Sequence, residues 1–277
     1  MTARRDGIDA YAVLGNPVSH SLSPRIHRCF AEQTQQAISY QAIELAVDDF
    51  EAGLVELQKT GMRGANVTIP FKQQAWSICD QLSPGARQAA AVNTLSFNVD
   101  GSIQGDNTDG IGLVRDLTAN LQLSLEQQKI LILGAGGAVR GVLGPLLALS
   151  PHSITIVNRN LEKAQLLARD FADQGELPVS GYEELGGESY DLIINATAAG
   201  LSNEIPPVTD NVLDTDSVCY DMVYNRLEPT AFVQWALNRG VTAAYDGLGM
   251  LVEQAAESFF IWRGVHTDTS KVIQSLR

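Results

Sequence analysis

The feature that most constrains the fold is an apolar run that leads directly into a glycine cluster. Lys129–Leu133 (KILIL) has the composition of a strand buried on both faces, and Gly134, Gly136 and Gly137 follow it at once. A helical pattern comes next, so the order is strand, tight glycine turn and helix. This order is typical of the first unit of a doubly wound parallel sheet.

Strand and helix patterns continue to alternate after this unit. Further strands are predicted at 153–157, 191–195 and 218–222, with helices at 162–174 and 229–239. Pro145 falls within the first helix of the series, where we expect a local kink. The pattern therefore predicts an α/β Rossmann domain over residues 109–246.

The first hundred residues predict a separate α/β domain. The pattern gives strands at 11–15, 38–45 and 65–69, a hairpin from 93–97 and 102–104, and helices at 24–35 and 48–60. Ser23 and Pro24 predict the N-cap and the first position of the first helix. A chain of 277 residues is long enough for two such cores.

The last segment carries a helical stripe that follows the final predicted strand of the sheet. From Leu248 onward, apolar residues recur at spacings of three and four, which is typical of a helix buried on one side. We expect this helix to leave the sheet and to return to the first domain. The first domain is then predicted to comprise residues 1–108 and 247–277.

Composition excludes several classes of partner. The 19 Lys and Arg against 32 Asp and Glu give a net charge of −13, which disfavours nucleic acid and anionic membranes because both require a basic face. No apolar stretch approaches the roughly 18 residues of a membrane helix, and no secretory signal is visible, so we expect a cytoplasmic protein. The three cysteines and four histidines show no paired spacing, so no metal site is predicted.

The glycine turn predicts a phosphate-binding site. Glycines let the backbone approach a pyrophosphate, and the N-terminus of the following helix presents unpaired amides. Gly134 and Gly136 fit the first two positions of the dinucleotide fingerprint, whereas Val139 occupies the third. Such a turn alone is a weak signal, and the strand and helix around it strengthen the prediction.

The residues after the next strand favour a phosphorylated ribose. Where an NAD-specific fold places an acid, this chain has Asn158 and Arg159, with Lys163 one helical turn further on. The alternative is that these cations form an ordinary solvated face. Their position predicts NADP rather than NAD as the cofactor.

Three polar clusters lie at the ends of predicted elements of the first domain. They are HSLSP at 20–24, NVTIPFK at 66–72, and VNT with GDNTDG within 92–110. The hydroxyls of Ser21 and Ser23 suit a carboxylate, and Lys72, Asn93 and Asp109 suit ring hydroxyls. The clusters therefore suit a small polyhydroxylated anion, although each residue could also be a helix cap, a turn residue or a surface lysine.

Eight motifs occur in one order between Gly15 and Ala256: GNPVSHSLSP, GANVTIPFK, AVNT, GDNTDG, GAGGAVRG, NATAAG, YDMVY and DGLGMLVEQAA. With these motifs the chain resembles the shikimate dehydrogenases of the monofunctional bacterial type. The resemblance implies NADPH-dependent reduction of 3-dehydroshikimate to shikimate, a step of chorismate and aromatic amino-acid biosynthesis. It also implies a first domain completed by the C-terminal helix.

The resemblance further implies roles for individual residues. It places Ser21 and Ser23 at the substrate carboxylate. The rest of the implied substrate pocket is Thr68, Lys72, Asn93, Asp109, Tyr224 and Gln254. The implied cofactor residues are Gly134, Ala135, Gly136, Gly137 and Ala138 in the glycine turn, Asn158, Arg159, Asn160 and Lys163 at the adenosine phosphate, and Met222 and Gly247 at the nicotinamide. Asn160 and Lys163 stand where threonine and arginine are common, which leaves the strength of the NADP preference open.

Lys72 and Asp109 are the candidate acid/base pair. Reduction of a ring carbonyl needs a proton at the oxygen, and a neighbouring aspartate favours the ammonium form of a lysine, whereas desolvation opposes it. The sequence leaves open which of the two holds the proton, and our hypothesis makes Lys72 the principal acid/base and Asp109 its orienting partner.

Three further questions stay open at this point. A quinate/shikimate dehydrogenase of broader substrate and cofactor range is one alternative function. An NADP-binding module without chemistry is another. A second copy of the chain, forming a homodimer, is a candidate partner.

Overall fold

The computed structural model describes residues 7–202 and 204–277, which divide into two compact units. The first unit runs to Gly112 and includes Val252–Ser275, and the second is Leu113–Leu251 with Leu276–Arg277. The sequence prediction placed the two boundaries at 108/109 and 246/247. In the structure, each boundary falls within a helix.

The strands, in chain order, are β1 Asp9–Gly15, β2 Ile38–Glu44, β3 Gly64–Val67, β4 Gln81–Leu82, β5 Thr94–Phe97, β6 Ile103–Asp106, β7 Lys129–Leu133, β8 Ser153–Val157, β9 Val179–Ser180, β10 Leu192–Asn195, β11 Val218–Asp221 and β12 Ala243–Tyr245. The helices are α1 Ser23–Thr34, α2 Phe50–Lys59, α3 Lys72–Ile78, α4 Pro84–Ala89, α5 Asp109–Arg115, α6 Gly137–Leu147, α7 Leu161–Asp170, α8 Ala231–Leu237, α9 Leu248–Arg263 and α10 Thr269–Leu276. A π-helical turn, Asp116–Asn120, extends α5.

The second unit is built on a fully parallel sheet. Its strand order is β12-β11-β10-β7-β8-β9, and every neighbouring pair in it is parallel. Side chains of β7 alternate between the two faces: Ile130 and Ile132 join one apolar cluster, and Leu131 and Leu133 join the other. This confirms the predicted doubly wound domain, because the chain crosses from one side of β7 to the other between β9 and β10.

The first unit has a mixed sheet with the order β2-β1-β3-β5-β6-β4. The pairs β1–β2 and β1–β3 are parallel, whereas β5 pairs antiparallel with both β3 and β6. The predicted hairpin is confirmed, with Phe97 opposite Ile103 and Gly101 in the left-handed region at φ +89°. Strand β4 and helices α3 and α4 were not predicted, because they are short and carry little periodic pattern.

The C-terminal helix packs on the first sheet, as its apolar stripe predicted. The indole nitrogen of Trp262 donates to the Leu95 carbonyl oxygen at 3.1 Å, and its ring stacks on Tyr11 with centroids 4.5 Å apart. Arg263 forms an ion pair with Asp9 at 2.5 Å. Within the described residues, no helix combines the length and apolar character that crossing a membrane requires.

The start of α1 differs from the prediction. The N-cap residue is Leu22 and makes no side-chain capping bond, so Ser23 is a helical residue rather than the cap. The backbone N–H of Ser23 instead donates to Ser21 Oγ at 3.2 Å. A different serine therefore satisfies this amide, because the helix begins one residue earlier than expected.

His27 is a fully buried histidine inside an aromatic cluster of the first unit. Its ring stacks on Tyr40 with centroids 4.1 Å apart, and Phe30, Phe259 and Trp262 surround it. Among the described residues, neither ring nitrogen has a hydrogen-bond partner. Burial lowers the pKa of His27 to about 3.

We expect His27 to make the protein less stable in acid. Between its unfolded pKa of about 6.5 and its folded pKa of about 3, only the unfolded chain binds the proton, so stability falls as the pH falls. From about pH 7 to about pH 4.5, the wild type should lose about 2 to 3 kcal/mol more unfolding free energy than His27→Phe. Urea unfolding at both pH values measures this difference.

The control for this experiment is His152→Phe, because His152 is exposed. It should keep the acid sensitivity of the wild type. If the wild type and His27→Phe lose the same unfolding free energy between the two pH values, His27 is not the source of the acid sensitivity.

Candidate active site and dinucleotide site

The structure brings Lys72 and Asp109 together within the first unit. Lys72 begins α3 and Asp109 begins α5, and Lys72 Nζ lies 2.6 Å from Asp109 Oδ2. The side chain of Lys72 is 28% exposed and that of Asp109 is 10% exposed. The pair is thus largely shielded, yet the amine keeps access to a small molecule.

Asn93 holds the other oxygen of the Asp109 carboxylate. Asn93 precedes β5, and its Nδ2 donates to Asp109 Oδ1 at 2.8 Å. Its Oδ1 accepts from the Thr108 N–H and from Thr94 Oγ1, both at 2.9 Å. Because these donors face the oxygen, the amide has one allowed orientation, and its NH₂ group must point toward the carboxylate.

Gln254 of α9 joins the same group. Its Oε1 lies 3.4 Å from both Asn93 Nδ2 and Thr108 Oγ1. The structure therefore places four predicted substrate residues, Lys72, Asn93, Asp109 and Gln254, in one cluster.

A second layer of buried polar residues lies behind this cluster and was not predicted. Asn66 Nδ2 donates to Ser258 Oγ at 2.8 Å and to Thr94 Oγ1 at 3.2 Å, and the Tyr40 hydroxyl donates to Asn66 Oδ1 at 2.8 Å. Asn66 and Thr108 stand inside the quoted motifs, which was the available signal. For Ser258, the sequence offered no signal other than its position one helical turn after Gln254.

Ser21 and Thr68 lie on the loops that follow β1 and β3, and Ser23 is the first residue of α1. Ser21 Oγ donates to Ser23 Oγ at 3.2 Å, which places the two hydroxyls side by side. The Thr68 N–H donates to the Leu14 carbonyl oxygen at 2.9 Å. A Cβ on Gly15 would lie 2.5 Å from Thr68 Cγ2, so this close approach requires glycine at position 15.

The glycine turn of the second unit forms an open cradle. Gly134 has φ +116°, and a Cβ there would also lie 3.1 Å from the Ala196 carbonyl oxygen. Gly136 is the N-cap of α6, without a side-chain capping bond, and Cβ atoms on Gly136 and Gly137 would contact nothing within 4 Å. Exposed backbone at an uncapped helix N-terminus fits a phosphate group.

The neighbours of this turn are small or buried. Ala135 and Ala138 add only methyl groups, and Ala138 is exposed. Val139, which departs from the general fingerprint, is fully buried in the core on that face of the sheet. The third fingerprint position thus serves helix packing here.

The cations predicted for the ribose phosphate follow β8, next to the glycine strand. Arg159 and Lys163 are both exposed, and Asn158 Nδ2 donates to the Asn160 carbonyl oxygen at 2.8 Å. Asn160 is the N-cap of α7, because its Oδ1 accepts from the Lys163 N–H at 3.1 Å. The two cations therefore flank a hydrogen-bonded turn at the start of α7.

Met222, Tyr224 and Gly247 also lie in the second unit. The Met222 N–H donates to the Asn195 carbonyl oxygen at 2.9 Å, and the Gly247 N–H donates to that of Val223 at 3.1 Å. A Cβ on Gly247 would lie 2.4 Å from the Met222 carbonyl oxygen, so only glycine fits there. Tyr224 is partly buried in the same loop, whereas the other predicted substrate residues belong to the first unit.

Three family models match the chain. The shikimate dehydrogenase substrate binding domain matches residues 13–95, shikimate / quinate 5-dehydrogenase matches 116–205, and the shikimate 5'-dehydrogenase C-terminal domain matches 247–277. These matches lie on both units of the structure.

Curated and solved proteins are similar over nearly the whole chain. A shikimate dehydrogenase (NADP(+)) of Alkalilimnicola ehrlichii is 51% identical over 97% of this chain and 98% of its own. The crystal structure of an Ael1 enzyme from Pseudomonas putida has a TM-score of 0.91 and 44% identity, with 97% and 98% covered. A shikimate 5-dehydrogenase from Thermus thermophilus, in complex with NADP(H) and shikimate, has a TM-score of 0.86 and 32% identity, with 97% and 98% covered.

Proposed function

The chain belongs to the shikimate dehydrogenase family, and we propose that it catalyses the reversible, NADPH-dependent reduction of 3-dehydroshikimate to shikimate. This reaction is a step of chorismate and aromatic amino-acid biosynthesis. The observation that carries the proposal is the Lys72–Asp109 pair at 2.6 Å, held from behind by Asn93. An acid/base pair is what reduction of a ring carbonyl requires in addition to a hydride donor.

The second unit fits NADP as the cofactor. The open glycine cradle from Gly134 to Ala138 would hold the pyrophosphate, and Arg159 and Lys163 would hold the 2′-phosphate. Asn158 and Asn160 would shape the turn that carries these cations. Met222 and Gly247 would adjoin the nicotinamide, which supplies the hydride when the cofactor is bound.

Lys72 holds the proton that the carbonyl oxygen receives during reduction. Asp109 keeps the amine in place through the 2.6 Å contact, and the Asn93 amide fixes the far side of the carboxylate. In the oxidative direction the same amine accepts the proton from the substrate hydroxyl. This assignment makes Lys72 the acid/base group and Asp109 its orienting partner.

The remaining substrate contacts follow from the chemistry of the side chains. Ser21 and Ser23, whose hydroxyl oxygens lie 3.2 Å apart, would bind the substrate carboxylate. Thr68, Asn93, Gln254 and Tyr224 contribute to the rest of the pocket. Polar donors of this kind fix the orientation of a small hydroxylated ring.

The function is tested by following the absorbance of reduced nicotinamide with shikimate and quinate, each combined with NADP and NAD. We expect the highest kcat/KM with shikimate and NADP. Comparable values with quinate would support the broader quinate/shikimate alternative. Binding of NADPH without turnover of either acid would indicate a binding module and would refute the proposal.

The role of Lys72 is tested by Lys72→Ala. Loss of a general acid/base group lowers kcat by about 10²- to 10⁴-fold, and we expect KM for shikimate to change much less. Steady-state kinetics at saturating NADP measure both values. The control is Lys59→Ala, an exposed lysine of the same unit, and near-normal turnover in Lys72→Ala would exclude the role.

The cofactor preference is tested by Arg159→Ala. A charge-assisted hydrogen bond contributes about 1.5 to 3 kcal/mol, so NADP should bind at least about tenfold more weakly while NAD binding stays the same. Calorimetric titration with each cofactor measures the two affinities. Arg169→Ala, an exposed arginine at the other end of α7, is the control, and equal losses for NADP and NAD would contradict the assignment.

A further inference from the structure

Asp221 is a fully buried acid that the proposed mechanism does not use. It ends β11 at 0% exposure, and no described Lys or Arg forms an ion pair with it. Three donors face it instead: Thr230 Oγ1 at 2.6 Å, and Asn195 Nδ2 and the Val223 N–H at 3.1 Å each. Burying a carboxylate without a cation is costly, so its position calls for a reason beyond packing.

The carboxylate lies where sheets of this topology bind their ligands. Ligands bind at the carboxyl ends of the parallel strands, near the point where the strand order reverses, which here lies between β7 and β10. Asn195 ends β10, the strand that is paired to both β7 and β11. A Cβ on Gly200, in the loop after β10, would lie 3.6 Å from Asp221 Oδ2.

The backbone around Asp221 also contacts the residues assigned to the nicotinamide. Met222 follows it directly in the chain. A Cβ on Gly247 would lie 3.1 Å from the Asp221 carbonyl oxygen and 2.4 Å from that of Met222. Loops from β10, β11 and β12 therefore converge on this acid.

We propose that the Asp221 carboxylate is an electrostatic positioning residue that makes the site favour NADP⁺ over NADPH. This inference rests on the proposed function. The nicotinamide ring is cationic in NADP⁺ and neutral in NADPH, whereas the rest of the molecule has the same charge in both. A negative charge acts more strongly in a water-poor surrounding, so it stabilises the cationic ring and has little effect on the neutral one.

The charge state of Asp221 depends on its surroundings. Burial raises the pKa of Asp221 to about 6, hydrogen bonds from Thr230, Val223 and Asn195 lower it, and the charge of Asp246 raises it. Asp246 precedes Gly247, and burial raises its own pKa. Asp221 is therefore ionised above about pH 6 and neutral below that value.

The first experiment compares the Kd of NADP⁺ and of NADPH in the wild type, Asp221→Asn and Thr230→Val, measured by calorimetry without substrate. Asp221→Asn should weaken NADP⁺ relative to NADPH by about three- to tenfold. Thr230→Val removes the hydrogen bond to Asp221 and the N-cap bond that Thr230 accepts from the Val233 N–H in α8. At about pH 8.5, well above the raised midpoint, the carboxylate keeps its charge in this variant, so both Kd values should change by the same factor. If Asp221→Asn changes the Kd of NADP⁺ and the Kd of NADPH by the same factor, the proposal is overturned, because a merely structural role affects both cofactor forms alike.

A second measurement uses the wild type and stands even if Asp221→Asn does not fold. The preference for NADP⁺ should decrease as the pH falls through about 6, and Thr230→Val should move this midpoint to higher pH. The ratio of the two Kd values cancels the titration of the 2′-phosphate, which both forms carry. A constant ratio of the two Kd values from about pH 5 to about pH 8 would refute this inference but not the proposed function. Failure to bind either NADP⁺ or NADPH would refute the proposed function.

Discussion

The candidate active site depends on the direction of one buried amide. Asn93 presents its oxygen to the N–H of Thr108 and the hydroxyl of Thr94, and its NH₂ group to Asp109. The reversed amide would place an oxygen against a carboxylate and leave two donors facing an NH₂ group. Buried polar groups without partners are costly, so the Asn93 amide keeps this orientation and binds one oxygen of Asp109. The other oxygen of Asp109 is then available to Lys72.

The same unit depends on a helix from the far end of the chain. Along α9, Ser258 contacts Asn66, Trp262 bonds to Leu95 and Arg263 pairs with Asp9. These contacts reach β1, which lies next to the edge strand β2, and the two central strands of the sheet, β3 and β5. The polar cluster is thus complete only when the last segment has packed, since α9 also supplies Gln254.

Much of this architecture could be predicted locally. The run KILIL marked a strand buried on both faces, and its alternate residues do enter two separate cores. The stripe after Leu248 marked a helix buried on one side. The predicted cap of α1 was wrong: Leu22 is the N-cap instead of Ser23, because capping depends on backbone angles at Leu22 that residue type does not reveal. His27 gave no signal, and the quoted motif YDMVY did not indicate that its Asp221 would be buried, because the environment of both residues comes from other segments.

The sequence by itself determined the order of strands and helices, the glycine turn and the residue types available for chemistry. These follow from periodicity and backbone freedom, which act over a few residues. Only the tertiary structure decided that Lys72 meets Asp109, that Asn66 meets Ser258 and that Asp221 is buried without a cation among the described residues. Contacts between residues far apart in the chain depend on how whole elements pack, and burial sets how strongly a charge acts.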